Sequence, residues 1–303
     1  MITNFTQLME AARSGPRRRL AVAVAQDSEV LSALHDAREA GIADPILVGD
    51  EAKIREIAAE SGIALDGWEI IDESNNVEAA RIAVKLVKEG QAQMLMKGLV
   101  GTADILRAVL DRETGLRTDK ILSHVAILEV PAYHKLLFMT DGGQNIAPDL
   151  AQKKEITQNA VDMARALGNP RPKVAALAAL ELVNPKMPAT VDAKALMDMA
   201  ASGELENCIV EGPIAFDGAI SAEAAAHKGM KSEVAGDVDV LVVPYIEVGN
   251  VLYKSLVYLA NTRVAGLIAG AAAPIVLTSR SDSHEAKLLS IAAASVIASQ
   301  SKS

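Results

Sequence analysis

The chain alternates short apolar runs with segments in which apolar residues recur every three or four positions. Over the first third of the sequence, the apolar runs predict strands at residues 20–25, 46–48, 68–71 and 93–96. The segments that follow each run predict helices at 29–40, 50–61, 76–89 and 102–110. Continuously apolar strands that alternate with helices are typical of a parallel sheet covered on both faces. The pattern therefore predicts an α/β fold.

The pattern changes near residue 123, where apolar runs at 123–129 and 136–140 lie close together and predict an antiparallel hairpin. A long helix at 149–167 is expected next, and then the alternation resumes. The later predicted strands are 174–178, 208–211, 238–243, 264–269 and 275–277, and the later predicted helices are 192–201, 221–227, 249–259 and 283–299. A chain of 303 residues with this order favours two α/β domains, with a boundary near residue 140.

Charge and composition narrow the classes of partner. The chain has 30 Lys and Arg residues against 39 Asp and Glu residues, and its net charge is −9. An acidic protein has little long-range attraction for nucleic acid or an anionic membrane, so we expect neither as a partner. An anionic substrate must then be held by individual lysines and arginines. Aromatic residues make up only 3%, which leaves Ala, Val, Leu and Ile to fill the core.

The one cysteine, Cys208, lies in a predicted strand, and we expect a small core residue rather than a catalytic thiol. A single cysteine excludes a disulfide within the chain, which agrees with a reducing compartment. No signal peptide is visible, and no apolar stretch approaches the roughly 20 residues of a membrane span. These features predict a cytoplasmic protein.

Two turns between a strand and a helix carry most of the candidate chemistry. The first contains Lys97, Gly98 and Thr102, with Arg107 on the helix that follows. Ligands of open α/β sheets bind at the carboxyl ends of strands, where glycines and helix N-termini accommodate phosphate or carbonyl oxygens. The alternative, equally weighted on the residues alone, is an ordinary tight turn with Thr102 as a helix cap.

The second turn contains Ser279, Arg280, Asp282 and Ser283. A serine hydroxyl beside an arginine fork suits an anionic, oxygen-rich substrate. Under the alternative reading, Asp282 or Ser283 caps the final helix, and Arg280 is a surface charge.

Three further turns bear polar side chains: Asp141 with Asn145, Asn250 with Lys254, and Asp217. Each could equally serve its own turn or helix. The sequence has neither the glycine-rich phosphate loop of nucleotide-binding proteins nor the dinucleotide fingerprint, and it has no serine-hydrolase elbow. Its five histidines show no metal-ligand spacing. These absences argue against a kinase, a dehydrogenase, a hydrolase and a metal enzyme.

Taken in order, long motifs across nearly the whole chain resemble the phosphate acetyltransferase and phosphate butyryltransferase family, with the closer likeness to its butyryltransferase branch. The motifs are Met96-Lys97-Gly98-Leu99-Val100 with Thr102-Ala103-Asp104, Gly115-Leu116-Arg117-Thr118, Leu122-Ser123-His124-Val125-Ala126, Asn145-Ile146-Ala147-Pro148-Asp149-Leu150, Val183-Asn184-Pro185-Lys186-Met187, Glu247-Val248-Gly249-Asn250, and the segment from Pro274 to Ser283.

The resemblance implies an isocitrate/isopropylmalate-dehydrogenase-like fold, with two α/β domains and a cleft between them. It implies a first domain of residues 1–138 plus 278–303 and a second domain of residues 139–277, through which the protein forms a homodimer. The family reaction transfers a short acyl group, here butanoyl, reversibly between coenzyme A and inorganic phosphate. Acyl-CoA and phosphate are then the expected partners, with coenzyme A a substrate and with no cofactor or metal.

The same resemblance implies roles for individual residues. Arg280 would hold phosphate and the developing oxyanion, and Ser279 would hydrogen-bond the reacting thiol or carbonyl. Lys97, Gly98 and Arg107 would line the phosphate side. The remaining turn residues complete the expected substrate-binding set: Thr102, Asp141, Asn145, Asp217, Asn250 and Lys254.

One position departs from the family pattern. Phosphotransacetylases carry an aspartate seven residues after the serine, proposed as the base for the thiol of coenzyme A, whereas the counted position here is Ala286. Asp282 and Glu285 are the substitute candidates, because a thiol that is mostly protonated at neutral pH benefits from an acceptor.

Three alternatives remain on the sequence alone. Phosphate acetyltransferase activity is one, because a methylene changes pocket selectivity by only about 1–3 kcal/mol. A dehydrogenase on the same fold is another, although the chain has no nicotinamide motif. The third is a non-catalytic relative that senses coenzyme A, which the Ser279-Arg280 pair disfavours and Ala286 keeps open.

Overall fold

The computed structural model describes residues 1–279 and 282–300; Arg280, Ser281 and residues 301–303 lie outside the described part. The helices are α1 (Phe5–Ser14), α2 (Ser28–Glu39), α3 (Glu51–Glu60), α4 (Asn76–Lys88), α5 (Thr102–Val109), α6 (Leu150–Ala166), α7 (Pro188–Ser202), α8 (Phe216–Ile220), α9 (Ala222–His227), α10 (Ile246–Leu259) and α11 (His284–Gln300). The strands are β1 (Arg18–Ala23), β2 (Ala43–Gly49), β3 (Glu69–Asp72), β4 (Met94–Lys97), β5 (Ser123–Glu129), β6 (Leu137–Thr140), β7 (Lys173–Leu177), β8 (Ile209–Ile214), β9 (Val240–Val242), β10 (Arg263–Ala269) and β11 (Ile275–Val276).

The chain forms two compact units. The central unit consists of Met1–Phe5 and Ile121–Val264, and the terminal unit consists of Thr6–Lys120 and the described chain from Ala265 onward. The chain therefore passes from one unit to the other at 5/6, 120/121 and 264/265. The family resemblance implies domain boundaries at 138/139 and 277/278, and these stay a prediction. The hairpin strand β6 pairs with β9, and this pairing places the hairpin in the central unit.

Six strands form the sheet of the terminal unit, in the order β3-β2-β1-β4-β11-β10. All neighbours are parallel except β10 and β11, which are antiparallel. The middle strand β1 is buried from Leu20 onward and aligns Leu20 with Pro45 on one side and Met94 on the other. The predicted strands of this unit are confirmed, with ends shifted by a few residues.

The central unit has the strand order β5-β6-β9-β7-β8. The predicted hairpin is confirmed, because β5 and β6 are antiparallel and pair Ala126 with Met139. The other three pairings are parallel. The expected long helix α6 begins with a capping box, in which Asp149 and Gln152 each accept the backbone N–H of the other.

A few elements differ from those predicted. Helix α1 precedes the first predicted strand, and its buried residues Phe5, Leu8 and Ala12 follow helical spacing. Helix α7 begins at Pro188, four residues before the predicted start, because proline is favoured in the first turn.

Cys208 is buried immediately before β8, as predicted for a core residue. Among the residues that the structure describes, none of the helices is long and apolar enough for a membrane crossing.

Candidate functional site

A recess lies in the terminal unit at the carboxyl ends of β4 and β11, which are parallel neighbours. It holds about 260 Å³ of space, including solvent at its mouth. The polar and glycine residues that line it are Asp27, Lys97, Gly98, Thr278, Ser279 and Lys287. The structure thus brings together the two turns that the sequence singled out, and the location follows the rule for ligand sites of open α/β sheets.

Gly98 sets the shape of the turn after β4. Its N–H donates to the carbonyl of Ala23 at 2.8 Å, and the N–H of Leu99 donates to the carbonyl of Val24 at 2.8 Å. A Cβ atom at position 98 would lie 2.1 Å from the Val24 oxygen, so only glycine allows this approach. Gly98 therefore allows this course of the backbone, and that course sets the position of the neighbouring Lys97.

Lys97, the last residue of β4, is 95% buried, with a relative exposure of 5%. Its ammonium donates to the carbonyl of Gly98 at 3.2 Å and also lines the recess. An ammonium held in a partly closed recess attracts an anion more strongly than one in open solvent, because screening by water is weaker.

The turn after β11 is closed by Asp282. Its carboxylate accepts the N–H of Ser279 at 2.7 Å, and its own N–H donates to the carbonyl of Ser279 at 3.1 Å. The predicted residues Ser279 and Asp282 are therefore in direct contact, and Asp282 holds the backbone of the serine. The predicted Arg280 lies outside the described residues.

Lys287 also lines the recess, and it lies outside the site residues that the sequence predicts. It lies in the first turn of α11, and its ammonium donates to the carbonyl of Asp282. The signal that points to it is compositional: it is a charged residue within a helix that otherwise buries mainly alanine, leucine and isoleucine.

Three other predicted residues of the terminal unit are exposed and do not line the recess. Thr102 is the first residue of α5, whose N-cap is Gly101. Arg107 pairs with Asp104 at 2.7 Å, one helical turn away on the same helix. Glu285 lies in the first turn of α11.

In the central unit, Asp141 organises the loop that follows β6. Its buried carboxylate accepts the N–H groups of Gly143 at 2.9 Å and Gln144 at 2.8 Å, and the side-chain amide of Asn145 at 2.7 Å. The same amide of Asn145 also donates to the carbonyl of Leu122 at 2.9 Å. Both predicted residues therefore hold the loop in place.

Asn250 contacts the same loop, because its side-chain amide donates to the carbonyl of Gly142 at 3.3 Å. Lys254 lies one turn further along α10 and is exposed.

Asp217 is exposed and belongs to another cluster of the central unit, where Lys228 pairs with it at 2.7 Å and with Glu181 at 2.6 Å. The hydrogen bond from Lys228 lowers the pKa of Asp217 below its ordinary value. The central unit thus places Asp141 and Asn145 in one loop, brings Asn250 of α10 against that loop, and places Asp217 in an ion-pair cluster.

A family description, phosphate acetyl/butaryl transferase, matches the chain over residues 4–81 and 73–295. A phosphate butyryltransferase of Clostridium acetobutylicum is 48% identical over 98% of this chain and 99% of its own. A phosphate acetyltransferase of Rhizobium meliloti is 44% identical over 98% of this chain and 94% of its own.

Solved structures agree with these relatives. A branched-chain phosphotransacylase from Enterococcus faecalis superposes with a TM-score of 0.82 at 38% identity, covering 93% of this chain and 99% of that one. A 4-hydroxythreonine-4-phosphate dehydrogenase from Klebsiella pneumoniae gives a TM-score of 0.56 at 15% identity, with 93% and 99% covered, which shows the fold alone. The predicted dehydrogenase-like α/β fold is confirmed.

The fold and the matches along the chain identify the protein as an acyltransferase. The chain belongs to the phosphate acetyl/butyryl transferase family, which confirms the family predicted from the motifs.

Proposed function

We propose that this protein transfers a butanoyl group reversibly between coenzyme A and inorganic phosphate. The observation that carries the proposal is the recess that Lys97 and Ser279 both line at the ends of two parallel strands. Its ammonium and hydroxyl groups are of the kind that binds a tetrahedral oxyanion.

The reaction joins one phosphate oxygen to the acyl carbon and breaks the thioester C–S bond. Hydrogen phosphate and butanoyl-CoA give butanoyl phosphate and coenzyme A, and the proton of the phosphate passes to the leaving sulfur. The carbonyl oxygen gains negative charge as the C–O bond forms. A donor placed where this charge develops typically contributes ~10²–10³ in rate.

Three residues take roles in this scheme. Lys97 binds phosphate oxygens, and the hydroxyl of Ser279 donates to the thioester carbonyl or to the leaving sulfur. Arg280, next to Ser279 in sequence, stabilises the oxyanion. Holding two anionic substrates together supplies much of the remaining acceleration, because their encounter becomes intramolecular.

The butanoyl preference rests on the butyryltransferase motifs and on the relative with 48% identity. Acetyl transfer is the second candidate, favoured by the relative with 44% identity, which is a phosphate acetyltransferase. Pocket volume separates the two substrates only modestly, by about 1–3 kcal/mol per methylene.

We also propose a cytoplasmic homodimer that pairs through α10. This helix leaves Val248, Val251, Tyr258 and Leu259 exposed. Burial of such a row against a second copy removes apolar surface from water. The substitution Val251→Asp should shift the mass measured by light scattering from dimer to monomer; an unchanged mass would contradict the use of this face.

The proposed activity is tested by the release of coenzyme A thiol, followed with a thiol reagent, from butanoyl-CoA and acetyl-CoA in parallel. Each reaction is run with and without inorganic phosphate. Phosphate-dependent release that is faster from butanoyl-CoA supports the proposal. Faster release from acetyl-CoA would identify acetyl as the preferred acyl group. No phosphate-dependent release from either substrate would refute the enzyme and favour a non-catalytic protein that binds coenzyme A.

A further inference from the structure

Lys287 is a buried lysine without a carboxylate partner among the described residues. Its relative exposure is 4%, and its ammonium donates to the backbone carbonyl of Asp282. Two other buried lysines of the chain have such partners: Lys153 pairs with Asp192 at 2.6 Å, and Lys135 pairs with Asp239 at 2.6 Å. Lys287 therefore differs from these two in how its charge is compensated.

Burial of this ammonium costs free energy unless an anion compensates its charge. Removing an ammonium from water carries a large penalty, and one hydrogen bond to a neutral carbonyl recovers only part of it. An anion that binds beside the ammonium recovers more, because a charge-assisted hydrogen bond is about twice as strong as a neutral one.

The surroundings of Lys287 favour such an anion. Lys97 and Lys287 both line this recess, so two positively charged side chains border one small space. Asp27 is the carboxylate among the described lining residues, and one of its oxygens accepts the N–H of Val30 at 2.9 Å as the cap of α2. Among the described lining residues, two lysines therefore stand against one aspartate, and the nearby carboxylate of Asp282 is occupied by the N–H of Ser279.

The size of the recess and the presence of Ser279 indicate which anion binds. The space of about 260 Å³, part of it open solvent, accommodates a single phosphate group. The same Asp282 that accepts from Lys287 through its carbonyl accepts from Ser279 through its carboxylate. Lys287 is therefore joined through one residue to the serine at the proposed reaction centre.

We propose that Lys287 is a second phosphate-binding residue, which with Lys97 grips the phosphate that accepts the acyl group. This inference rests on the proposed function and deepens it. The phosphate groups of coenzyme A have the same chemistry as inorganic phosphate. The kinetic test distinguishes binding of inorganic phosphate from binding of coenzyme A.

The test compares wild type with Lys287→Gln, which removes the charge and keeps a side-chain N–H donor. The exposed lysine Lys88 provides the matched control, Lys88→Gln. Initial rates of coenzyme A release are measured against phosphate at saturating butanoyl-CoA and against butanoyl-CoA at saturating phosphate. We expect K287Q to raise the KM for phosphate about 10- to 100-fold and to leave the KM for butanoyl-CoA within about twofold. K88Q should match wild type.

Lys287→Arg retains the charge and should recover part of the phosphate affinity, which a purely structural role would not predict. A raised KM for butanoyl-CoA with an unchanged KM for phosphate would assign Lys287 to coenzyme A and overturn the inference. Unchanged values for both substrates would also overturn it.

A second measurement uses the wild-type protein and does not require turnover. Inorganic phosphate should slow the amine-reactive labelling of Lys287, read by mass spectrometry, and should not change that of Lys88. Equal labelling of Lys287 with and without phosphate would refute the inference even if K287Q fails to fold. Protection by phosphate in a protein without acyl transfer would reject the proposed function and retain the phosphate site.

Discussion

The backbone N–H of Ser279 donates to the carboxylate of Asp282 at 2.7 Å, and the N–H of Asp282 donates back to the carbonyl of Ser279 at 3.1 Å. This reciprocal pair closes the turn between β11 and α11. The position of the serine in the recess therefore depends on a carboxylate three residues away, the same carboxylate that is a candidate base for the thiol.

Substitution of Asp282 separates these two roles. Asp282→Asn still offers an oxygen to the N–H of Ser279, so we expect activity within about tenfold of wild type in both directions. Asp282→Ala removes the acceptor and should lower kcat about 10- to 100-fold, because a hydrogen bond to a charged group contributes about 1.5–3 kcal/mol. Both variants are assayed for thiol release and for synthesis of butanoyl-CoA from butanoyl phosphate.

A catalytic base would give a different result. The Asn variant would then lose ~10²–10⁴ in rate when coenzyme A is the nucleophile, since general base catalysis contributes that much. Such a loss would contradict the structural role of Asp282.

Gly98→Ala should disrupt the turn that positions Lys97. The added Cβ would lie 2.1 Å from the carbonyl oxygen of Val24, so the backbone must move. We expect a loss of about 1–3 kcal/mol in the free energy of unfolding by urea, together with a raised KM for phosphate. At Gly101 the nearest atom to the added Cβ is a side-chain oxygen of Asp104 at 3.1 Å, which can rotate away. Gly101→Ala is thus the matched control, and equal losses in the two variants would refute the argument.

Cys208 should react slowly with thiol reagents in the folded protein. Burial raises its pKa to about 11, so at pH near 8 only about one thiol in a thousand is ionised, and access is limited as well. We expect labelling at least about 100-fold slower than in urea-unfolded protein, where one thiol per chain should react. Rapid labelling of the native protein would contradict the burial of Cys208.

Slow reaction of Cys208 with the thiol reagent adds a background signal to the coenzyme A assay, and Cys208→Ala removes that signal. We expect the variant to retain its turnover and to lose about 0.5–3 kcal/mol of stability, as is usual for a buried substitution. Loss of turnover without unfolding would instead assign the thiol a role in the reaction.

Asp237 makes the central unit sensitive to acid. Burial by itself would raise the pKa of Asp237, but hydrogen bonds from Lys135, Lys173 and His134 outweigh it and hold the pKa well below the ordinary value. The folded state therefore gains stability from ionised Asp237 at pH above about 4, the ordinary value for an aspartate. This contribution is lost as the pH falls through the lower pKa of the folded state.

Asp237→Asn should lower the free energy of unfolding at neutral pH by about 1–2 kcal/mol. The figure is discounted for solvent screening, because the side chain is 43% exposed. The difference from wild type should shrink as the pH drops below about 4, as measured by urea unfolding at several pH values. Glu78→Gln, which breaks the exposed pair with Arg81, is the control and should change little. A difference that does not depend on pH would refute the electrostatic argument.

The sequence predicted the fold well because strands such as β1 and β5 contain continuous apolar runs and are bounded by helices or turns. It also located the turns at Lys97 and Ser279, since glycines and charged residues follow strands there. The sequence did not reveal that Gly98 serves a backbone contact with Val24, because that contact joins turns after two different strands. The sequence did not reveal Lys287 for a related reason: its ability to bind an anion depends on a recess formed with residues some 190 positions earlier.

The separation of Lys97 from Ser279 and Lys287 along the chain has a consequence for protein synthesis. The walls formed by Asp27 and Lys97 are translated first, and those formed by Thr278, Ser279 and Lys287 follow only after the whole central unit has been made. At ordinary rates of translation, about 5–20 residues per second, the interval between the two lysines is roughly 10–40 s. During that interval the edge of β4 that later pairs with β11 is unsatisfied, so a nascent chain is expected to be exposed to strand pairing with neighbouring chains before its phosphate recess exists.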